Sequence, residues 1–238
     1  MRNVLISIPI IIVIIIGLFA FKLILYKKNI SGISLGTEIR TDILDRPALL
    51  VVDIQEGTTG YLSDNEFYKS GSGLLISKIN QLIDSTAKKN IPVFYMSNEV
   101  SDYFINLIHS QLAEGSPGVL LDKRLKKVSG YVIMNIKLDA FSNPGLDSIL
   151  TKRRINRLYF TGLDPAYSIG NTLAAARNRN YKVSLISDAV ISESEPLKKK
   201  KLLEFKNNGC EVLLSHDYFQ KIGDAAVSSS ESSQNAQN

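Results

Sequence analysis

The stretch Ala48–Gln55 reads Ala-Leu-Leu-Val-Val-Asp-Ile-Gln, an apolar run that ends at Asp53. Consecutive apolar residues rich in Val and Leu are typical of a strand that is covered on both faces, as in a parallel sheet. Ligands of open α/β sheets bind outside the carboxyl ends of the strands. The run therefore predicts a buried parallel strand with Asp53 at the functional edge of the sheet.

Strand-like and helix-like segments alternate through the rest of the domain. Short apolar segments predict strands at Ala48–Asp53, Val93–Ser97, Tyr131–Ile136, Leu158–Thr161, Val183–Ser187 and Glu211–Leu214. Helical spacing and cap residues predict helices at Leu74–Lys89, Asp102–Leu112, Ser168–Asn180 and Leu197–Asn208, and one that starts at Asn143-Pro144. Because parallel strands are joined by right-handed crossovers, residues 47–222 are expected to form a six-stranded, doubly wound parallel sheet flanked by helices.

An apolar segment precedes this domain. None of the eighteen residues from Val4 to Phe21 is charged, and as a helix they would span about 27 Å, close to the hydrocarbon thickness of a bilayer. The apolar regions of signal peptides are shorter, roughly 7–15 residues, and we find no convincing small-x-small cleavage site. We expect an uncleaved transmembrane anchor over residues 1–28, followed by a linker and lead-in over residues 29–46.

Flanking charges predict the orientation of this anchor. Only Arg2 and the amino terminus precede the span, and the cations that follow it are Lys22, Lys27, Lys28 and Arg40. Cations are enriched on the cytoplasmic side of membrane spans. A single-pass membrane protein with a cytoplasmic domain is therefore expected.

Composition excludes several function classes. The net charge is +5, but the basic clusters lack the interleaved aromatic residues of a nucleic-acid platform. Cys210 is the only cysteine and His109 and His216 are the only histidines, so no metal-ligand spacing is present. No phosphate-binding glycine motif follows a strand, and no cofactor is expected. Residues 223–238 end in a run of Ser, Asn and Gln that predicts a disordered tail.

The order of the motifs carries a family resemblance. Thr161–Ile169 reads Thr-Gly-Leu-Asp-Pro-Ala-Tyr-Ser-Ile, and it follows Gly115–Gly118 (Gly-Ser-Pro-Gly) and Asp139–Phe141 (Asp-Ala-Phe). Together with the Asp-Ile-Gln that begins at Asp53, this layout resembles the isochorismatase-like cysteine hydrolases over roughly Arg46–Phe219. The resemblance implies a six-stranded parallel sheet and an active site made of an aspartate, a lysine and a cysteine.

The resemblance also implies roles for individual residues. Asp53 matches the family aspartate, and a carboxyl group among apolar strand ends favours the protonated form and permits acid/base chemistry. The family cysteine position is occupied by Ser168 and the lysine position by Asn135. Lys137 lies two residues further, on the same side of a strand. The residues expected to line the substrate site are Gln55, Leu163, Asp164, Tyr167 and Thr172. The stretch that is His-rich in the family's metal-assisted amidases carries no histidine here, so no zinc is expected.

Three functions stay open on the sequence. In the first, Asp53 protonates a small vinyl ether and water is the nucleophile. In the second, Ser168 attacks an amide or an ester, although a hydroxyl needs a positioned base. In the third, the domain has lost catalysis and binds a metabolite or a partner at the membrane. The expected partners are a small-molecule substrate or ligand and membrane lipid, and the homo-oligomeric assembly common in the family is left open.

Overall fold

The computed structural model of the chain describes residues 2–40, 44–107 and 110–223, with side chains described from residue 9 onward. His109 and the predicted tail from residue 224 onward lie outside them.

In the described part of the chain, six parallel strands form one sheet. They are β1 (Pro47–Val52), β2 (Val93–Asn98), β3 (Val132–Asn135), β4 (Arg157–Gly162), β5 (Lys182–Val190) and β6 (Glu211–Leu213). Their order across the sheet is β3-β2-β1-β4-β5-β6. The predicted six-stranded parallel sheet is confirmed. The strand order reverses at β1, which pairs with β2 on one side and β4 on the other, and such a switch point is where open α/β sheets bind ligands.

The sheet is apolar on both faces. Successive side chains of a strand point to opposite faces, and in β1 the residues Leu50 and Val52 join one buried cluster whereas Leu49 and Val51 join the other. The continuous apolar run of β1 is thereby explained, because helices cover the sheet on both sides. The first polar side chain after this run is Asp53.

The flanking helices are α1 (Arg2–Ile30), α2 (Glu66–Lys88), α3 (Tyr103–Asn106), α4 (Pro144–Lys152), α5 (Ser168–Arg177) and α6 (Glu195–Asn207), and residues 215–223 are also helical. The predicted start of α4 is confirmed, since Asn143 Oδ1 accepts from Gly145 N with Pro144 at the first position. Gly209 follows α6 with a φ of +77°, as expected of a left-handed cap.

The helix expected over Asp102–Leu112 is wrong in extent. In the described residues, α3 ends at Asn106, and residues Ser110–Leu112 form a separate 3-10 turn. Leu112 is held elsewhere, because its carbonyl accepts from Val100 N at 2.7 Å. The apolar stripe that suggested a longer helix also does not face the core, since only one α3 residue, Ile105, is buried.

The amino-terminal helix α1 is long and apolar enough over Pro9–Ile30 to cross a membrane. This is a statement of length and composition, and a signal sequence fits the same description. Beyond α1 the chain runs along the domain: Leu138 N donates to Ile30 O at 3.0 Å, and Ser34 N donates to an Asp139 carboxylate oxygen at 2.7 Å. The segment predicted as a linker is therefore attached to the domain by hydrogen bonds.

Candidate active site

A cavity of about 200 Å³ opens at the carboxyl edge of the sheet, beside the switch point. Three strands deliver polar residues to it. Asp53 follows β1, Asn98 ends β2, and Ser168 opens the helix that follows β4. The structure thus brings Asp53 and Ser168 together, as the sequence predicted.

The backbone of Asp53 adopts the left-handed conformation, with a φ of +54°. Its N–H donates to Met96 O at 2.9 Å, and its carbonyl accepts from Thr58 Oγ1 at 2.5 Å. This conformation is uncommon for a residue other than glycine, and such strained residues cluster at functional sites. Bonds on both sides of Asp53 therefore hold a conformation that the isolated residue would rarely adopt.

The carboxyl group of Asp53 is buried, with 7% of the residue exposed. Its Oδ2 accepts from Asn98 Nδ2 at 2.7 Å, whereas its Oδ1 has no hydrogen-bond partner within the described part of the chain. Burial raises the pKa of Asp53 to about 7, against the opposing effects of the Ser168 hydroxyl and the Asn98 amide, and the nearby Asp164 raises it further. Both protonation states are therefore accessible near neutral pH, as general acid/base chemistry requires.

Asn98 connects the two predicted catalytic positions. Its Nδ2 donates to Asp53 Oδ2 and also to Ser168 Oγ at 2.9 Å. Sequence reasoning did not identify Asn98 as a site residue. The available signal was its position at the carboxyl end of the strand after β1, although a single asparagine in that place is a weak one.

Ser168 is the first residue of α5 and only 4% exposed. The cap position belongs to Tyr167, so Ser168 does not cap the helix. Because its Oγ accepts from Asn98, its own hydrogen is free to be donated. The site thus places a hydroxyl, an amide and a carboxyl group of raised pKa side by side.

Two residues are candidates for the role of the family lysine: Asn135, which occupies its position, and Lys137, which lies two residues further. Asn135 ends β3 in register with Asn98, is 3% exposed, and does not line the cavity. Its Oδ1 is buried without a hydrogen-bond partner among the described residues. Lys137, two residues further, is half-buried and lines the cavity. A cationic side chain is therefore present at the site, but it comes from beyond the end of the strand.

Three of the expected substrate-binding residues, Leu163, Asp164 and Tyr167, line the cavity. Both carboxylate oxygens of Asp164 are already engaged: Oδ2 accepts from the Tyr68 hydroxyl at 2.7 Å, and Oδ1 accepts from Ser192 Oγ at 2.8 Å. Asp164 therefore fixes the loop between β4 and α5.

Gln55 and Thr172 were also expected to contact substrate, and the structure places both away from the cavity. Each is 0% exposed. Gln55 bonds to the backbone of Asn98 and Val119. Thr172 Oγ1 accepts from Ala140 N at 3.0 Å. Their polar groups are used to hold loops of the domain, so neither offers a free group to a substrate.

The described residues contain no group of three or more His, Cys, Asp and Glu side chains able to hold a metal ion. His216 is 70% exposed at its side chain and pairs with Asp217 at 2.9 Å, away from the cavity.

Comparison with known proteins identifies the fold and its family. Residues 47–217 match the family profile described as "Isochorismatase domain". The chain belongs to the isochorismatase family. The match covers the whole of the sheet and its crossover helices, so the resemblance deduced from the motifs is confirmed.

Relatives of this isochorismatase domain include amidohydrolases. The chain is 26% identical over 168 residues to the ureidoacrylate amidohydrolase RutB of Methylobacterium radiotolerans, an alignment that covers 59% of this chain and 65%, under two thirds, of that protein. The RutB of Pseudomonas savastanoi pv. phaseolicola is 26% identical over 169 residues, which cover 60% of this chain and 69% of that one.

Solved structures share the fold. A cysteine hydrolase from Pseudomonas syringae pv. phaseolicola superposes with a TM-score of 0.67 at 21% identity, over 80% of this chain and 99% of that one. The N-carbamoylsarcosine amidase of Thermoplasma acidophilum superposes with a TM-score of 0.61 at 26% identity, over 71% of this chain and 96% of that one.

Proposed function

We propose that this isochorismatase domain is a hydrolase of a small-molecule vinyl ether, amide or ester, with Asp53 as its acid/base. The observation that supports the proposal is the state of the Asp53 carboxyl group. It is buried, its pKa is raised to about 7, and Asp53 lines a cavity open to a ligand. A proton donor needs this combination, because its pKa must lie near the working pH and its oxygen must reach the substrate.

The route that suits a serine at position 168 uses water as the nucleophile. Protonated Asp53 donates its proton to the alkene carbon of a vinyl ether, and the positive charge develops on the carbon that bears the ether oxygen. Water adds to that carbon and returns a proton to the Asp53 carboxylate. The resulting hemiketal collapses, the C–O bond breaks, and an alcohol and a carbonyl compound leave. No thiolate is required at any step.

A second route is supported by the contacts of Asn98. Its Nδ2 donates hydrogen bonds to both Ser168 Oγ and Asp53 Oδ2. The Ser168 hydroxyl therefore lies beside a carboxylate that could accept its proton. Ser168 would then attack the carbonyl carbon of an amide or ester, and an acyl group would pass from the leaving group to Ser168 and then to water. The names of the relatives, an amidohydrolase and an amidase, favour this bond class.

We further propose that α1 anchors the domain to a membrane as a single pass, with the domain in the cytoplasm. The apolar run before Lys22 has the length of a bilayer core, and Lys27 and Lys28 lie in the last turn of the helix. Cations at the domain end of a span favour the cytoplasmic side.

The test is a turnover screen of the full chain in lipid nanodiscs against small vinyl ethers, amides and esters. Activity that is lost in Asp53→Asn is the expected result. If Ser168→Ala retains activity the water route holds, and if it is silent with a trappable acyl-serine in the parent the second route holds. Binding of the panel without turnover in the parent protein would contradict the proposal and favour a domain that binds a metabolite without hydrolysing it.

A further inference from the structure

One face of α1 packs against the domain beside the active site. Along the exposed helix, Lys22, Tyr26 and Ile30 recur every four residues and are each half-buried, as neighbours on one face of a helix are. Tyr26 and Ile30 line the same cavity as Asp53 and Ser168. The wall of the candidate active site therefore includes the last two turns of the apolar helix.

Lys22 is the first charged residue after the uncharged part of α1, so the distance from this part to the cavity wall can be measured from it. The uncharged run ends at Phe21, and Lys22 Nζ pairs with an Asp102 carboxylate oxygen at 3.1 Å. With a rise of 1.5 Å per residue, Tyr26 lies about 6 Å and Ile30 about 12 Å beyond Lys22. The polar layer of each leaflet is about 5–7 Å thick. If α1 spans a bilayer, Tyr26 lies at the depth of the headgroups, and so does the part of the cavity that Tyr26 lines.

A second apolar surface lies beside α1 at the level of Lys22. Lys22 Nζ lies 3.9 Å from the centre of the Phe104 ring, and the exposed fractions of Tyr103, Phe104 and Leu107 are 72%, 49% and 67%. Aromatic residues are enriched at the surfaces of membranes. Because this patch is continuous with α1, the bilayer surface is the occupant that its position favours.

The buried end of the cavity is lined by polar side chains, and its outer wall is lined by apolar ones. Its buried end carries Asp53 and Ser168, whereas the half-buried Ile30 and Leu138 and the 54%-exposed Ile136 form its outer wall. A volume of about 200 Å³ is below the roughly 300–1,000 Å³ of typical small-molecule sites. It has room for a small polar group, while any longer apolar part must lie along the outer wall towards α1.

We propose that the substrate is an amphiphile that enters from the bilayer surface, with its hydrolysable polar head at Asp53 and its alkyl chain against Ile30 and Ile136. This inference rests on the proposed function for the identity of the reacting group. The chain-binding surface is a separate property, and it can be tested without turnover.

The experiment uses the full chain in phosphatidylcholine nanodiscs and an octanamide that carries a diazirine at the end of its chain. Unlabelled octanamide or acetamide is added as a competitor of the photolabel. Empty nanodiscs measure how much of each amide partitions into lipid, and the competition is corrected for that amount. Each buried CH₂ group contributes about fourfold in affinity, so burial of about three of the six additional CH₂ groups of octanamide should make it compete on the order of 60-fold better than acetamide. Labels should map to Ile30, Ile136 and their neighbours. Equal competition by the two amides would overturn the proposal.

Matched variants separate the proposed wall from general lipid binding. Ile30→Ala should weaken octanamide roughly fivefold with little effect on acetamide, and Ile136→Ala, on the domain side, should do the same. Ile24→Ala is the control, because Ile24 is 65% exposed and does not line the cavity. If Ile30→Ala and Ile136→Ala both behave like this control, the wall assignment is overturned.

Asp53→Asn separates the two proposals. Octanamide selectivity should survive this substitution, since the chain lies away from the carboxyl group. In the parent protein, octanamide selectivity with no turnover of any panel compound would contradict the proposed function and leave the amphiphile site supported. Turnover by the parent protein without chain-length selectivity would support the proposed function and overturn the amphiphile site.

Discussion

Gln55 and Asn98 are joined by two hydrogen bonds of 2.9 Å, one from Gln55 Nε2 to the carbonyl of Asn98 and one from Asn98 N to Gln55 Oε1. Gln55 Nε2 also donates to Val119 O at 2.9 Å. The side chain thus ties the end of β2, which carries Asn98, to the loop after β1, which carries Asp53. Since Asn98 in turn fixes Asp53 Oδ2, Gln55 acts as a positioning residue for Asp53, the proposed acid/base.

Gln55→Leu should therefore reduce both stability and activity. It leaves backbone groups of Asn98 and Val119 without partners, and each unsatisfied buried group costs about 1–3 kcal/mol. We expect the free energy of unfolding to fall by about 3 kcal/mol in chemical denaturation, while Gln81→Leu, at an exposed position of α2, has little effect. An unchanged stability together with a raised KM would instead make Gln55 a substrate contact.

Burial of Asp53 predicts a stability that depends on pH with a defined sign. The folded-state pKa of about 7 exceeds the ordinary aspartate pKa of 3.8, so between about pH 4 and pH 7 the folded protein binds more protons than the unfolded chain. Stability then falls as the pH rises through this window. At about 1.4 kcal/mol per unit of pKa, the free energy of unfolding at about pH 8 should be on the order of 4 kcal/mol lower than it is below about pH 4, where Asp53 is protonated in both states.

Asp53→Asn should remove this dependence, because the amide carries no charge and its oxygen can still accept from Asn98. The melting temperature of the variant should exceed that of the parent at about pH 8, and the difference should shrink towards about pH 4.5. Asp84→Asn serves as the control, since Asp84 pairs with Lys126 at the surface. A difference in melting temperature that grows on acidification would contradict the raised pKa of Asp53.

The sheet and Asp53 could be predicted because they depend on local signals, whereas Ser168 was identified through the family resemblance. Apolar runs define the strands, and a polar residue directly after such a run lies at the carboxyl edge. Asn98 could not be found in this way, since its role arises from β2 lying beside β1. Nor could the sequence show that Gln55 turns its amide towards two backbone carbonyls, because that choice is made by tertiary contacts.

The amino-terminal region shows the same limit. Composition predicted an apolar helix and a linker, and the helix is present. The lead-in that follows Ile30 is held in part by Arg179, a residue about 150 positions later. Arg179 is 3% exposed, and its guanidinium donates to Ser34 O and Leu35 O at 3.1 Å. No periodicity within the lead-in encodes this contact.

Arg179→Leu should release the lead-in from the domain. Hydrogen bonds to a charged group contribute about 1.5–3 kcal/mol, and 1.4 kcal/mol corresponds to tenfold in an equilibrium constant. Amide hydrogen exchange over residues 31–40 should therefore accelerate roughly tenfold or more, with β1 and β4 unaffected. Arg177→Leu, on the exposed side of α5, is the matched control. Equal exchange in both variants would show that Arg179 does not hold the segment.

Restoring the residues expected from the family resemblance provides a test of the site that needs no substrate. Ser168→Cys places a thiol beside Asn98 Nδ2 and the amino end of α5, and Asn135→Lys adds a cation at the end of β3. A nearby cation and a helix amino end both lower the pKa of a thiol. Alkylation by iodoacetamide at about pH 7 should therefore be faster in the double variant than in Ser168→Cys alone.

The chain carries its own reference for this measurement. Cys210 is 3% exposed, and burial raises its pKa to about 12, so it should stay unmodified while Cys at position 168 reacts. Gln81→Lys, at an exposed position of α2, controls for the added charge. If the rate at position 168 is the same with Asn135→Lys as with Gln81→Lys, the end of β3 does not face the nucleophile position, and Lys137 is left as the cation that serves the site.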